Sequence, residues 1–296
     1  MDKITSQLAE FFSRYPRWVV LTGAGMSADS GIPTYRDDNG TWLRNRPIQH
    51  QEFIQQPEAR QRYWGRSMIG WPYVRDARPN TNHMALTKFE RSGRSSLIIT
   101  QNVDRLHQAA SSQQVIDLHG RLDRVVCLDC GAGYERDRVQ QELTKLNPQH
   151  RGFASAARPD GDADLSAQQV SAVTVWDCEV CGGMLKPDVV FFGGTVPRER
   201  VSRCQEALTA ADGLLVLGSS LQVFSGFRFC RQAIDQGKPL VILNEGATRA
   251  DELATLKINA NALTVFREVS SLLAPLKKRA APDLLRHRAQ QGTNYG

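Results

Sequence analysis

"VVLTGAGMSADSGIPTYRDD", Val19 to Asp38, decides how the rest of the chain is read. Two valines and a leucine make a short apolar run of strand type. Gly23, Gly25 and Ala28 then satisfy G-x-G-x-x-G/A, the spacing that lets backbone approach a pyrophosphate. A dinucleotide-dependent dehydrogenase would continue past Ala28 as an uninterrupted amphipathic helix. Here Gly31 and Pro33 break the chain, and the aromatic-basic pair Tyr35 and Arg36 follows. The stretch joins a dinucleotide loop to a second, arginine-bearing loop.

Further apolar runs follow: "SLIITQN" (Ser96 to Asn102), "QVIDLHG" (Gln114 to Gly120), "VVFFGG" (Val189 to Gly194), "GLLVLGSS" (Gly213 to Ser220) and "PLVILNEG" (Pro239 to Gly246). Most are short, rich in β-branched residues and closed by Gly, Asn or Ser, and they alternate with helical stretches such as "REVSSLLAPL". The pattern predicts an α/β fold with a Rossmann-like, doubly wound parallel sheet. Ligands of such sheets gather at the carboxyl ends of the strands, where the tails "TGAG", "TQNVD", "LHG", "LGSS" and "LNEG" would converge. Two segments interrupt the alternation, one rich in Arg, Gln, Trp and Tyr and one carrying paired cysteines. The expected division is residues 1–37, 82–121 and 187–276 for the large domain, 38–81 and 122–186 for a small inserted helical and zinc-binding domain, and 277–296 for a basic tail.

With 296 residues and 41% hydrophobic content the chain can bury one large core, or one large and one small. No run of about 18 apolar residues exists to span a membrane. The amino-terminal "MDKITSQLAEFFSRYPRW" has no signal or transit pattern, which predicts a cytoplasmic protein. A formal charge of +6 suits acidic partners, but "LKKRAAPDLLRHR" alone holds six basic residues against one acid, so the excess argues little for nucleic acid.

Cys127-x-x-Cys130 and Cys178-x-x-Cys181 are separated by 47 residues, and each pair is followed by glycine. Two thiolates on one tight turn occupy two corners of a tetrahedron, and a second such turn completes the shell of one Zn²⁺. Four thiolates leave zinc no open position, so the metal is structural. Cys204 and Cys230 lie in helix-like segments and are expected to be buried apolar residues.

"GAGMSADSGIPTYRD", "TQNVDRLH", "LHG" ahead of a C-x-x-C, "KPDVVFFGG", "GSSLQV" and "LNEG" occur in the order and approximate spacing of the sirtuins, and the resemblance spans about Leu8 to Leu276. "RPIQHQEF", "RQRYWGRSMIGWP" and "SSLQVFSGFRF" most resemble the class II branch, which includes a mitochondrial lipoamidase-type enzyme. The resemblance implies an NAD⁺-consuming protein lysine deacylase. In that chemistry the acyl oxygen attacks C1′ of the nicotinamide ribose, nicotinamide leaves, and free lysine and O-acyl-ADP-ribose result. His119 would be the base that activates the ribose 2′-hydroxyl, with Gln101 and Asn102 positioning ribose hydroxyls and a water.

By the same resemblance Gly23, Ala24, Gly25, Ala28, Asp29, Tyr35 and Arg36 line the cofactor pocket, and Val103 and Asp104 hold the nicotinamide carboxamide. Gly218, Ser219 and Ser220 would serve phosphate and ribose, Asn244 the adenosine ribose, and Gly246 and Ala262 the adenine side, with Glu245 also in the cofactor pocket. Thr34 and Tyr35 depart from residues common in the family. "VVFFGG" and "LQVFS" would form two strand edges that receive the substrate peptide as a third strand, through Val190, Phe191 and Val223.

Tyr63-x-x-Arg66 has the spacing by which another sirtuin branch recognises acidic acyl groups, and three residues apart on a helix they would share a face. Lipoyl, biotinyl and acetyl groups stay open beside that reading, as does the oligomeric state. Mono-ADP-ribosylation of protein would use the same NAD⁺ pocket. A zinc-ribbon nucleic-acid or scaffold protein would instead crowd Lys and Arg around the cysteines, yet "RVVCLDCGAGYERD" and "VWDCEVCGGMLKPD" are charge-balanced.

Overall fold

The structure, a computed structural model, describes residues 3–34, 47–150, 173–259 and 262–276. Nine strands are seen among them: β1 (Trp18–Thr22), β2 (Ser95–Thr100), β3 (Val115–Asp117), β4 (Gly120–Cys127), β5 (Gly133–Glu135), β6 (Leu185–Val189), β7 (Gly213–Leu217), β8 (Leu240–Leu243) and β9 (Leu256–Ile258). Six form one parallel sheet in the order β3-β2-β1-β7-β8-β9. Counting parallel strands alone, this is the 3-2-1-4-5-6 order of a dinucleotide-binding sheet, with its switch point between β1 and β7.

The period of two along each strand explains why both faces are covered. Val19, Leu21, Ile99, Leu214, Val216 and Ile242 face one core, which the helices Arg198–Ala210 and Phe224–Asp235 close with Cys204, Leu208, Phe229 and Cys230. Trp18, Val20, Ile98, Leu215, Val241 and Leu243 face the other, closed by Leu8 and Phe12, Leu86 and Phe89, and Val265 and Phe266 from the helices Lys3–Arg14, Thr81–Arg91 and Ala262–Leu272. As expected, Cys204 and Cys230 are fully buried, and burial pushes both thiols up to about 12.

A smaller antiparallel sheet, β5-β4-β6, packs against the helices His50–Gln55, Pro57–Asp76 and Arg136–Leu146 around Phe53, Tyr63, Trp64, Met68, Val125 and Leu143. This corrects one expectation. "VVFFGG" is not a strand of the parallel sheet: β6 ends at Val189 in the small sheet. Beyond it Gly193 takes a left-handed φ of 77°, and a tight turn closes from Gly194 N–H to the Phe191 carbonyl at 2.9 Å. "LQVFS" is not a strand either, because Leu221 holds a left-handed φ of 58° and a helix begins at Phe224.

Candidate active site

The loop after β3 joins the two sheets, and His119 sits in that joint. Gly120 must follow it: φ is 88°, and a Cβ there would lie 2.0 Å from the Asp188 carbonyl oxygen where β4 crosses β6. The His119 carbonyl accepts the Val190 N–H at 2.7 Å, tying the segment after β6 to the histidine.

The imidazole is held at both nitrogens. Nδ1 lies 3.0 Å from the Gln101 carbonyl, which can only accept, so Nδ1 carries the hydrogen and Nε2 the lone pair. The Ser225 hydroxyl donates to Nε2 at 2.7 Å. Burial pushes His119 down to about 4 against the raising influence of the Gln101 carbonyl, and Arg200 lowers it further. The ring is therefore neutral, with its acceptor nitrogen at the cavity.

At the switch point the loops after β1 and β7 meet backbone to backbone. Gly25 N–H donates to the Gly218 carbonyl at 2.9 Å, and a Cβ on Gly25 would come within 2.9 Å of Gly218 Cα. A short 3₁₀ helix, Ala24–Ser30, takes the place of the long helix of a dehydrogenase and ends at Gly31. Gln101 Nε2 reaches the Ser219 hydroxyl at 2.8 Å and the Thr22 carbonyl at 3.2 Å, and its Oε1 lies 2.5 Å from where a Cβ of Gly226 would be. Asn102 Nδ2 donates to the Gly23 carbonyl and to Ser27 Oγ, both at 3.0 Å.

These groups border one cavity of about 1090 Å³. Of the residues singled out from the sequence, it is lined by Gly23, Ala24, Gly25, Ala28, Asp29, Gln101, Asn102, Val103, His119, Val190, Phe191, Gly218, Ser219, Ser220, Val223, Asn244, Glu245 and Ala262. Tyr35 and Arg36 lie outside the described residues; Thr34, just before them, does line the cavity. Asp104 and Gly246 do not. Asp104 stands one layer back, accepting from Ser27 at 2.6 Å and from the Leu106 N–H at 2.9 Å, and burial raises its carboxyl.

Tyr63 and Arg66 do not border the cavity. Tyr63 is in the small module's aromatic core, with its ring centroid 5.5 Å from that of Phe53 and 5.1 Å from that of Phe191, so it supports the cavity wall from behind. Its helix buries several large apolar side chains, and Tyr63 is spent on that packing. Sequence reading missed Ser225, Phe224, Arg228 and Arg267, all of which line the cavity. The signal was available: on a helix beginning at Phe224, residues 225 and 228 share one face.

Cys127, Cys130, Cys178 and Cys181 present four sulfurs within 4.8 Å of one another. The Cys127–Cys181 and Cys130–Cys178 pairs stand 3.6 and 3.7 Å apart, too far for disulfides and close to the edge of about 3.8 Å expected for sulfurs about 2.3 Å from a tetrahedral zinc. Both turns close alike, with Gly131 N–H donating to the Cys127 carbonyl and Gly182 N–H to the Cys178 carbonyl. The donor set fits one structural Zn²⁺.

Comparison with known proteins agrees with this geometry. The model of the Sir2 family matches residues 23–225. The chain belongs to the Sir2 family. It is 50% identical over 251 residues to a protein from Bradyrhizobium diazoefficiens named NAD-dependent protein deacetylase 2, covering 85% of this chain and 92% of that one. A Xanthomonas campestris NAD-dependent protein deacetylase is 53% identical, covering 85% of this chain and 86% of that one. Among solved structures, a Sir2 protein with a p53 peptide and NAD⁺ superposes with a TM-score of 0.72 at 29% identity, over 92% of this chain and 98% of that one. These sirtuin relatives leave open the narrower lipoamidase reading.

Proposed function

We infer that this sirtuin is an NAD⁺-dependent protein lysine deacylase, acting on acyl-lysine peptides, and that it works in a reducing compartment such as the cytoplasm, where four unbridged thiols persist. One observation carries the reading. Along the carboxyl edge of the parallel sheet the strand order sets out the binding groups in line. They run from His119 after β3, through Gln101 and Asn102 after β2, Gly23 and Gly25 after β1, Gly218 and Ser219 after β7, and Asn244 after β8, to Ala262 beyond β9. Five inter-strand gaps of about 4.8 Å give an edge of about 24 Å, room for an extended dinucleotide with a base at one end.

When bound, NAD⁺ supplies a ribose carbon activated by a departing nicotinamide, to which the acyl oxygen of a lysine substrate can add. The chain's own groups do the rest. Gly23, Gly25 and Gly218 keep side chains out of the switch point, so backbone can face the phosphates. Gln101, bonded to the last residue of β1 and to Ser219 after β7, and Asn102, bonded to the loop after β1, orient sugar hydroxyls. His119 Nε2 accepts the proton of a sugar hydroxyl in place of the one Ser225 donates. Val190, Phe191 and Val223 border the channel for the acyl-lysine. No residue of the zinc cluster takes part; the metal would fix the two turns that brace β4 and β6. The division into a cofactor lobe and a small helical and zinc lobe follows from the same assignment.

The test is to incubate the protein with NAD⁺ and an acetyl-lysine peptide, following nicotinamide and peptide mass. Nicotinamide release should require the peptide and be matched by acyl loss, and His119→Ala should cut product formation by about 10²–10⁴-fold. Peptide-independent release that survives His119→Ala, or ADP-ribose appearing on protein with the acyl group intact, would remove the deacylase assignment.

A further inference from the structure

The cavity continues past His119 into a lobe between the helices Arg198–Ala210 and Phe224–Asp235. Arg198, Ser202 and Gln205 line it from the first helix, and Phe224, Ser225 and Arg228 from the second. Among the described residues no acidic side chain borders this lobe. The carboxylates among them that line the cavity, Asp29 and Glu245, follow β1 and β8 and belong to neither of these helices.

Arg228 is distinctive among the cavity's arginines. Arg267 is engaged, donating to Asn82 Oδ1 at 2.5 Å and to the Thr264 hydroxyl at 2.8 Å. Arg198 is exposed. Arg228 is half-buried, its Nε is shut off from solvent without a hydrogen-bond partner, and its guanidinium lies 5.3 Å over the Phe224 ring. It forms no ion pair among the described residues. A buried donor without a partner is costly, so this guanidinium is more stable with an acceptor brought to it. The Phe224 ring holds the planar fork in one orientation. Three residues before Arg228 stands Ser225, whose hydroxyl touches His119, so the free fork is one helical turn from the reacting base.

We propose that Arg228 binds a carboxylate carried by the substrate, and that acyl-lysine substrates bearing one are the preferred class. The inference rests on the deacylase reading above. The carboxylate can be the far end of the acyl group, as in succinyl- or glutaryl-lysine, or an Asp or Glu beside an acetyl-lysine. Both present the same planar acceptor to the guanidinium.

Three peptides separate the sources: a neutral acetyl-lysine peptide, the same peptide glutarylated, and the acetylated peptide with Glu at the adjoining positions. In the wild type kcat/KM for at least one acidic peptide should exceed that for the neutral one by about tenfold, the scale of one charge-assisted pair. Which one does so names the source. Arg228→Gln should bring that ratio to near one. Arg228→Lys, which keeps the charge and loses the fork, should lower it at least about threefold and provides the comparison if the glutamine variant does not fold. Ratios near one for both acidic peptides in the wild type, or a preference that survives both variants, would overturn the assignment of Arg228. Turnover of none of the three peptides would sink the deacylase reading instead.

Discussion

The two sheets of this sirtuin do different work by different means. The carboxyl edge of the parallel sheet carries the groups we propose to react, and each is placed by strand register and by glycines that let the loops after β1 and β7 touch. The three-stranded module carries no reacting group. Its core is small, and Cys127 and Cys178, half of the sulfur cluster, are themselves members of it. A large doubly covered sheet holds its shape through buried apolar area, whereas a module this size needs a staple. The lobe that looks most like a chemical site, with four cysteines, fits a scaffold, and the proposed chemistry lies on the lobe that looks like plain framework.

Removing the staple should therefore have the largest effect and should fall on one lobe first. Cys130→Ser or Cys181→Ser, or zinc extraction by a strong chelator, is expected to open the module and abolish deacylation, because β6 leads directly to Val190 and Phe191 on the cavity wall. Limited proteolysis followed by mass spectrometry should find early cuts in residues 122–186 while the parallel sheet stays protected. Simultaneous loss of both lobes would show that the large sheet has no independent hold on its shape.

Acid should reverse the order of vulnerability. His83 and His107 are packed with ring centroids 4.9 Å apart, and His107 Nε2 meets the hydroxyl of Thr22 at the last residue of β1. Burial pushes His83 down to about 4, His107 to about 3 and His119 to about 4. All three folded values lie below the ordinary 6.5, so the unfolded chain takes up protons that the native state refuses. This contribution to stability is complete above about pH 6.5 and is lost as the pH falls toward 4. At the steepest part each histidine costs about 1.4 kcal/mol per pH unit, a slope of about 4 kcal/mol per unit for the three together. Urea midpoints measured between pH 7 and 5 should fall steeply. Replacing His83 and His107 together by apolar residues should flatten that fall, and an unchanged slope would place the acid-sensitive groups elsewhere.

Much of the sheet edge was legible in sequence because its constraints are local. The glycine loop, "LHG" and the paired C-x-x-C turns each encode a backbone geometry within a few residues, and Gly120, which has no room for a Cβ, is the plainest case. The parallel strands showed as β-branched runs, although β9, only three residues long, did not. What stayed hidden depends on partners far apart in the chain. Val190 to Gly194 has the composition of a core strand, and only a turn and a left-handed glycine make it an open cavity wall. Tyr63 and Arg66 have a recognition spacing, but whether a helical side chain meets a cavity or a core is decided by what packs on it, for Tyr63 the rings of Phe53 and Phe191. Ser225 reads as an ordinary polar residue at a helix start, since its partner His119 lies 106 positions away.

That serine offers the finest test of whether the edge is arranged in advance. In the resting molecule the Gln101 carbonyl fixes which imidazole nitrogen carries the hydrogen, and the Ser225 hydroxyl holds the other in place. Ser225→Ala keeps the fold and the Gln101 contact but releases Nε2, so the ring is held at one nitrogen only and can tilt about it. The expected result is a loss of about tenfold in kcat, close to one net hydrogen bond, with KM for peptide and NAD⁺ changed by less than about twofold. Ser225→Thr, which restores a hydroxyl, should recover most of it. Nitrogen NMR of labelled histidine should show His119 as the Nδ1–H form in both proteins, with the Nε2 resonance shifted in the alanine variant by loss of the hydroxyl's hydrogen bond, a change that loosened packing alone would not produce. If kcat holds and KM rises instead, the hydroxyl serves substrate binding, and the imidazole is oriented by the Gln101 carbonyl and the walls around it.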